Sequence, residues 1–148
     1  MFDTTVLVPA FRNAKRADDH ICGQLLEAMV AAKRPILIAA PSAAEFWRRE
    51  PNLTIPRTSL IRVVAFDQLA AEILGRKFPP DTLKSFRDQR NKPPLQYIKY
   101  DAMIVACAVR HRVDEFVSTD DNQSKLARSV GLIVKAPKDY LSRQHDLF

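Results

Sequence analysis

The apolar residues of this chain fall into two patterns, short continuous runs and longer segments with helical spacing. Residues 14–33 form the clearest amphipathic helix, which Pro35 is expected to end. Its apolar positions recur every three or four residues and are Ile21, Leu25, Leu26, Met29 and Val30. The short runs are typical of strands, the first of them buried, and lie at residues 36–40, 61–66, 115–119 and 132–134.

Helices are predicted between these strands. Ser42 is expected to cap a helix through residue 50, and Asp67 a helix over residues 68–76. Three further helices are predicted over residues 81–91, from Asp101 onward, and over 122–130 with Gly131 as its C-cap. The alternation of strands and helices predicts an α/β domain with a mainly parallel sheet. Ligands of such sheets gather at the carboxyl ends of the strands.

Length and composition narrow the class of protein. The 148 residues predict one domain spanning 1–148, and the apolar fraction of 47% is ordinary for a globular protein. No apolar run reaches the roughly 20 residues that a membrane span needs, and the first residues lack a signal-peptide layout. We therefore expect a cytoplasmic protein in which Cys22 and Cys107 are reduced, with Cys107 in the core.

The net charge of +6 is unevenly distributed. Between residues 84 and 99, five basic side chains stand against Asp88 alone, and we call these five the basic ribbon: Lys84, Arg87, Arg90, Lys92 and Lys99. Residues 100–120 carry two basic and four acidic side chains. A basic ribbon beside an acidic patch suits a metal-dependent enzyme that acts on a polyanion, although a solvated surface loop explains the charge equally well.

Several acidic residues fall near predicted strand ends or helix starts, and four such points are expected to converge on one edge of the sheet. They are Asp3, Glu45, Asp101 and the pair Asp120 and Asp121. Crowded carboxylates repel one another unless they are protonated or bridged by cations, and their hard oxygen atoms favour Mg²⁺ or Mn²⁺. Each acid also has a simpler explanation, as a helix-dipole partner, a cap or a solvated side chain.

Five motifs together resemble the PIN-domain nucleases, in particular the VapC-like toxin ribonucleases, over nearly the whole chain. They are "FDTTVLV" from residue 2, "ILIAAPSAAEF" from 36, "IRVVAFDQLAAEIL" from 61, "KYDAMIVACAV" from 99 and "FVSTDDN" from 116. The resemblance implies a three-layer α/β/α fold around a mainly parallel central sheet of about four to five strands. It also implies that the first strand ends at Asp3, although the β-propensity of residues 4–8 favours a strand there.

The resemblance further implies an endoribonuclease that hydrolyses RNA phosphodiester bonds with Mg²⁺ or Mn²⁺. The ions would be held by Asp3, Glu45, Asp101 and Asp120, with Asp121 as the alternative fourth ligand. Thr5, Ser118 and Thr119 would support these ligands, and the basic ribbon is our hypothesis for the RNA-binding surface. The family also suggests a homodimeric toxin with a protein antitoxin as its partner.

Thr5 leaves two alternatives open. The family usually has Asn at this position, so a PIN-like domain that binds RNA or protein without cutting remains possible. "FDTTV" also resembles the nucleophile motif of haloacid-dehalogenase-like phosphatases, but that chemistry needs a second Asp where this chain has Thr5.

Overall fold

Helices dominate the structure. The computed structural model describes residues 1–12, 17–87 and 94–141, without the side chains of residues 17 and 18. Of the described residues, 59% are helical and 10% are extended. The helices are α1 Thr4–Phe11, α2 Ala17–Ala31, α3 Ala40–Arg49, α4 Gln68–Lys77, α5 Pro80–Ser85, α6 Leu95–Arg110, α7 Asp121–Ser129 and α8 Lys138–Leu141. The strands are β1 Ile36–Ala39, β2 Ile61–Val64, β3 Phe116–Val117 and β4 Val134–Lys135.

The predicted α/β fold with a central sheet of four to five strands is wrong. The strands instead form two parallel pairs, β1 with β2 and β3 with β4, in a chain that is mostly helical. Phe2 makes one isolated parallel bridge to Ile38 and another to Val117. The predicted sheet is not formed because β3 and β4 are only two residues long and the N-terminal segment contributes one bridging residue.

The N-terminal segment turns into a helix directly after that bridge. Asp3 has an extended backbone and caps α1, and its Oδ1 accepts a hydrogen bond from the backbone N–H of Val6 at 3.0 Å. Val6 and Leu7 are fully buried. Residues 4–8 therefore follow the extended segment at Phe2 and Asp3 and are not part of it, as the family resemblance implied. Their β-propensity predicted a strand, which is wrong because the burial of a capped helix outweighs propensity.

The strands separate two apolar clusters. In β1, Ile36 and Ile38 belong to one cluster, whereas Leu37 and Ala39 contact the other. This alternation follows from the two-residue period of a strand, whose successive side chains point to opposite faces. The first cluster includes residues of α1, α2 and α3, and the second includes residues of α4, α5, α6 and α7.

Several helix boundaries differ from the predictions. Asp101 does not open its helix, because α6 begins after Pro94 and its first turns already bury Ile98. Ser42 does not cap α3, which begins at Ala40 with Pro41 in its first turn, and Ser42 is buried within it. The helix predicted over 81–91 ends at Ser85, and residues 88–91 lie outside the described ranges, as do residues 14–16 of the first predicted helix.

Other local predictions are confirmed. Asp67 caps α4, and Gly131 follows α7 with a φ of 85°. The N–H groups of Gly131 and Leu132 donate to the carbonyl groups of Arg128 and Ala127 at 3.0 and 3.2 Å, which closes the helix end. Cys107 lies in the core, and Cys22 and Cys107 are not joined by a disulfide. None of the helices in the described ranges has the length and apolar character needed to cross a membrane.

The cap at Asp67 gives a first prediction. Asp67 Oδ1 accepts from the N–H of Ala70 at 2.9 Å, and the carboxylate also binds Arg110 Nε at 2.9 Å. We expect Asp67→Ala to lower the free energy of unfolding by about 1 kcal/mol, measured by urea denaturation, because an N–H of the first turn loses its acceptor. Asp67→Ser keeps a capping oxygen and should recover most of that loss. Equal losses in the two variants would assign the effect to the Arg110 contact instead.

Candidate active site

The carboxylate of Asp3 is fully buried and is held by hydroxyl groups. Ser118 Oγ donates to Oδ2 at 2.5 Å, and Thr5 Oγ1 lies 2.8 and 3.0 Å from the two carboxylate oxygens. Burial raises the pKa of Asp3 to about 6, opposed by the hydrogen bonds from Ser118, Thr5 and Val6 and assisted by the charge of Asp120. Asp3 is therefore mostly charged at neutral pH, and burying that charge lowers the free energy of unfolding.

The same hydroxyl groups connect Asp3 to the turn after β3. Ser118 Oγ accepts a hydrogen bond from the N–H of Asp120 at 3.0 Å, and Thr5 Oγ1 accepts one from the N–H of Thr119 at 3.1 Å. The backbone N–H of Asp3 also donates to the carbonyl of Val117 at 3.1 Å. The start of α1 and the end of β3 are therefore fixed to each other.

Asp101 differs from Asp3, Glu45 and Asp120 because its carboxylate has no hydrogen-bond or ion-pair partner among the described residues. It lies inside α6 and is half-buried, and its carboxylate makes no hydrogen bond or ion pair with any described part of the chain. Burial, together with the charges of Asp120, Asp3 and Glu45, raises the pKa of Asp101 to about 7. The helix dipole does not explain its position, since Asp101 is well past the first turn of α6.

Asp120 and Glu45 complete the group of four acids. Asp120 is the N-cap of α7, and its Oδ1 accepts from the N–H of Gln123 at 2.7 Å. Glu45 lies on α3 and forms an ion pair with Arg49, one helical turn further along. Glu45, Asp101 and Asp120 line one cavity of about 500 Å³, which we call the acid cavity.

The structure does not bring every predicted residue to this cavity. Asp121 is exposed and lines a neighbouring cavity of about 690 Å³ together with Ser118 and Thr119, whereas Thr5 lines both cavities. Of the basic ribbon, the described members do not line the acid cavity; they are Lys84, Arg87 and Lys99. Lys84 forms an ion pair with Asp81 at 3.2 Å. Arg90 and Lys92 lie outside the described residues.

Most residues that line the acid cavity were not selected by the sequence analysis, and four of them carry side chains that matter below. They are Arg48, Arg49, Tyr97 and Gln123. One signal was present in the sequence, because Tyr97 and Asp101 are four residues apart and share a face of one helix. The predicted helix begins at Asp101 and so leaves out Tyr97, whereas α6 contains both residues.

The carboxylate oxygens of the acid cavity are the ligands that a hard divalent cation prefers, but they are not close enough together to form a coordination site. Within residues 1–12, 17–87 and 94–141, no three or more Asp, Glu, His or Cys side chains are grouped closely enough to hold one ion. A bound Mg²⁺ or Mn²⁺ would nevertheless offset both the burial and the mutual repulsion that raise the pKa of the unpaired Asp101 carboxylate.

Comparison of the sequence with models of known protein families gives no match, and neither does comparison with curated proteins. Function is therefore inferred from the residues of the acid cavity and from the motif resemblance.

The raised pKa of Asp101 predicts a pH-dependent stability. The folded protein binds this proton up to about pH 7, whereas the unfolded chain releases it near its ordinary value of 3.8, so Asp101 lowers stability as the pH rises between these values. In metal-free buffer, we expect Asp101→Asn to match the original protein near pH 4. At pH 8 the variant should exceed it by roughly 2 to 4 kcal/mol in free energy of unfolding, at about 1.4 kcal/mol per pKa unit.

The control is Asp81→Asn, which removes an exposed carboxylate outside the acid cavity. Urea denaturation at several pH values measures all three proteins. A stability difference for Asp101→Asn that stays constant from pH 4 to pH 8 would contradict the electrostatic origin of the effect.

Proposed function

We propose that this protein is an endoribonuclease that hydrolyses RNA phosphodiester bonds with Mg²⁺ or Mn²⁺. The observation that carries the proposal is the carboxylate of Asp101, which lies half-buried inside a helix and is unpaired within the described chain. It is also close enough to three other acids for their charges to raise its pKa. Asp3 and Asp120 cap helices, so a structural role explains them. No structural role explains Asp101, and perturbed acids in a cavity are typical of functional sites.

The residues of the acid cavity have distinct roles in this proposal. Asp101, Asp120 and Glu45 would hold the ion, and the buried Asp3 would add negative charge beside them. A bound Mg²⁺ or Mn²⁺ would polarise the phosphate and lower the pKa of the attacking water. Arg49, which is paired with Glu45 here, would be available to a phosphate of the RNA if Glu45 held the ion instead.

The toxin role, the protein antitoxin and the homodimer follow from the PIN-domain resemblance alone and are part of the proposal on that ground. The phosphatase alternative is less well supported, because Asp3 has no exposed surface from which to attack a phosphomonoester. A PIN-like domain that binds RNA or protein without cutting is the second candidate, since the described acids are not grouped for one ion.

The test is incubation of the purified chain with a mixed RNA pool and Mg²⁺ or Mn²⁺, followed by sequencing of the new ends. We expect defined cleavage that Asp101→Asn reduces by more than the roughly 10- to 100-fold cost of losing an outer-shell metal partner. A DNA pool run alongside tests the substrate class. Near-normal metal-dependent activity of Asp101→Asn would refute the four-acid site, and binding without any cleavage would favour the second candidate.

Two matched serine variants separate Asp120 from Asp121 in the same assay. Asp120→Ser keeps a capping oxygen for α7 but removes the carboxylate from the acid cavity. We expect it to lose cleavage and to remain folded, whereas Asp121→Ser should retain most of the activity. The opposite result would make Asp121 the fourth ligand.

Arg48 is a candidate for contact with the RNA backbone, because it lines the acid cavity whereas the described residues of the basic ribbon do not. In Asp101→Asn protein, which is not expected to cut the probe, Arg48→Ala should weaken binding of single-stranded RNA. It should also flatten the plot of log affinity against log salt by about 0.7, the value expected for one lost phosphate contact. Lys84→Ala is the control of equal charge. A flatter slope for Lys84→Ala alone would place the RNA on the basic ribbon.

A further inference from the structure

The acid cavity has an aromatic wall. Tyr97 is 61% exposed, more than any other large apolar side chain in the described chain, and it lines the cavity one helical turn before Asp101. Trp47 is also partly exposed, at 42%, but it does not line this cavity. An aromatic ring open to solvent inside a polar cavity offers a flat surface on which another ring can stack.

The cavity also contains a buried donor without an acceptor. Gln123 is only 2% exposed, and its side-chain amide nitrogen has no hydrogen-bond partner in the described chain. Its backbone is fixed, because its N–H donates to Asp120. An unsatisfied buried donor lowers the stability of the folded state, and native proteins satisfy most such groups. The amide of Gln123 is therefore suited to an acceptor that a ligand brings.

These two features favour a nucleobase over a phosphate as the occupant. Without a bound ion, a phosphate beside Tyr97 and Gln123 would meet repulsion from Asp101 and Asp120, whereas a base is neutral. Bases stack on aromatic side chains, and the amide of Gln offers both a donor and an acceptor to a base edge. The cavity volume of about 500 Å³ is within the roughly 300 to 1,000 Å³ of small-ligand sites.

We propose that Tyr97 and Gln123 form a nucleobase subsite within the acid cavity, in which Tyr97 stacks on one base and the Gln123 amide hydrogen-bonds to its edge. This inference rests on the proposed function and adds to it how the RNA is positioned. The base must leave its stack to enter, so the nucleotide held at the carboxylates is unpaired.

The test measures binding without cleavage. The full chain in metal-free buffer with chelator is titrated into two fluorescent single-stranded RNA probes, one with all bases and one abasic, with equal numbers of phosphates. We expect the original protein to bind the complete probe about tenfold more tightly, because stacking a base on an aromatic side chain strengthens binding. Both probes carry the same charge, so the ratio isolates the bases.

Variants assign the effect to residues. Tyr97→Ala should remove the tenfold ratio without changing the affinity for the abasic probe, whereas Tyr97→Phe should keep the ratio because its ring still stacks. Trp47→Ala removes an exposed aromatic side chain outside the cavity and should also keep the ratio. Gln123→Met preserves the length of the side chain without the amide, so it should narrow the differences in affinity among oligo-A, oligo-C, oligo-G and oligo-U.

Equal affinity of the original protein for both probes would overturn the subsite, and this comparison requires no variant to fold. A ratio that survives in Tyr97→Ala would overturn the role of Tyr97, and unchanged base preferences in Gln123→Met would overturn that of Gln123. A protein that distinguishes the probes but cuts no RNA keeps the subsite and loses the nuclease. A protein that cuts RNA but does not distinguish the probes loses the subsite alone.

Discussion

The hydrogen bond from Ser118 to the buried carboxylate of Asp3 joins two parts of the chain that are 115 residues apart. Burial of a carboxylate is costly unless donors surround it, and here Ser118, Thr5 and the N–H of Val6 supply them. The same contacts start α1, end the extended N-terminal segment and hold the turn after β3. The position of Asp120 in the acid cavity depends on this junction, because the N–H of Asp120 donates to Ser118 Oγ.

The acids around this junction differ in what they contribute to the fold. Asp3 and Asp120 stabilise helix starts, and Glu45 is neutralised by Arg49. Asp101 adds only the cost of burying a charge and repulsion from its neighbours, and both raise its pKa. Such a carboxylate lowers the stability of the folded state and forms no contact within the described chain that stabilises it. This pattern is expected where function opposes stability. Tyr97 and Gln123 fit the same pattern, as an exposed ring and an unsatisfied donor.

Local chemistry made part of the fold predictable. The caps at Asp67 and Gly131 and the buried strand at Ile36–Ala39 depend on residues close in sequence, and these predictions were correct. The sheet prediction failed because pairing over a useful length depends on distant segments, and β3 and β4 pair over only two residues. Residues 6–8 favour a strand by propensity, but the Asp3 cap and the buried face of α1 decided for a helix.

The sequence by itself determined which acids were available and which of them had local capping partners. The tertiary structure decided which acids meet: α3, α6 and α7 bring Glu45, Asp101 and Asp120 to one cavity, and Asp121, one residue further, lines another. It also placed Arg48 and Tyr97 beside the acids, where the basic ribbon was expected. The physical reason is the range of the forces involved. A cap is formed within one helical turn, whereas a cavity exists only after long-range burial has fixed the packing of several helices.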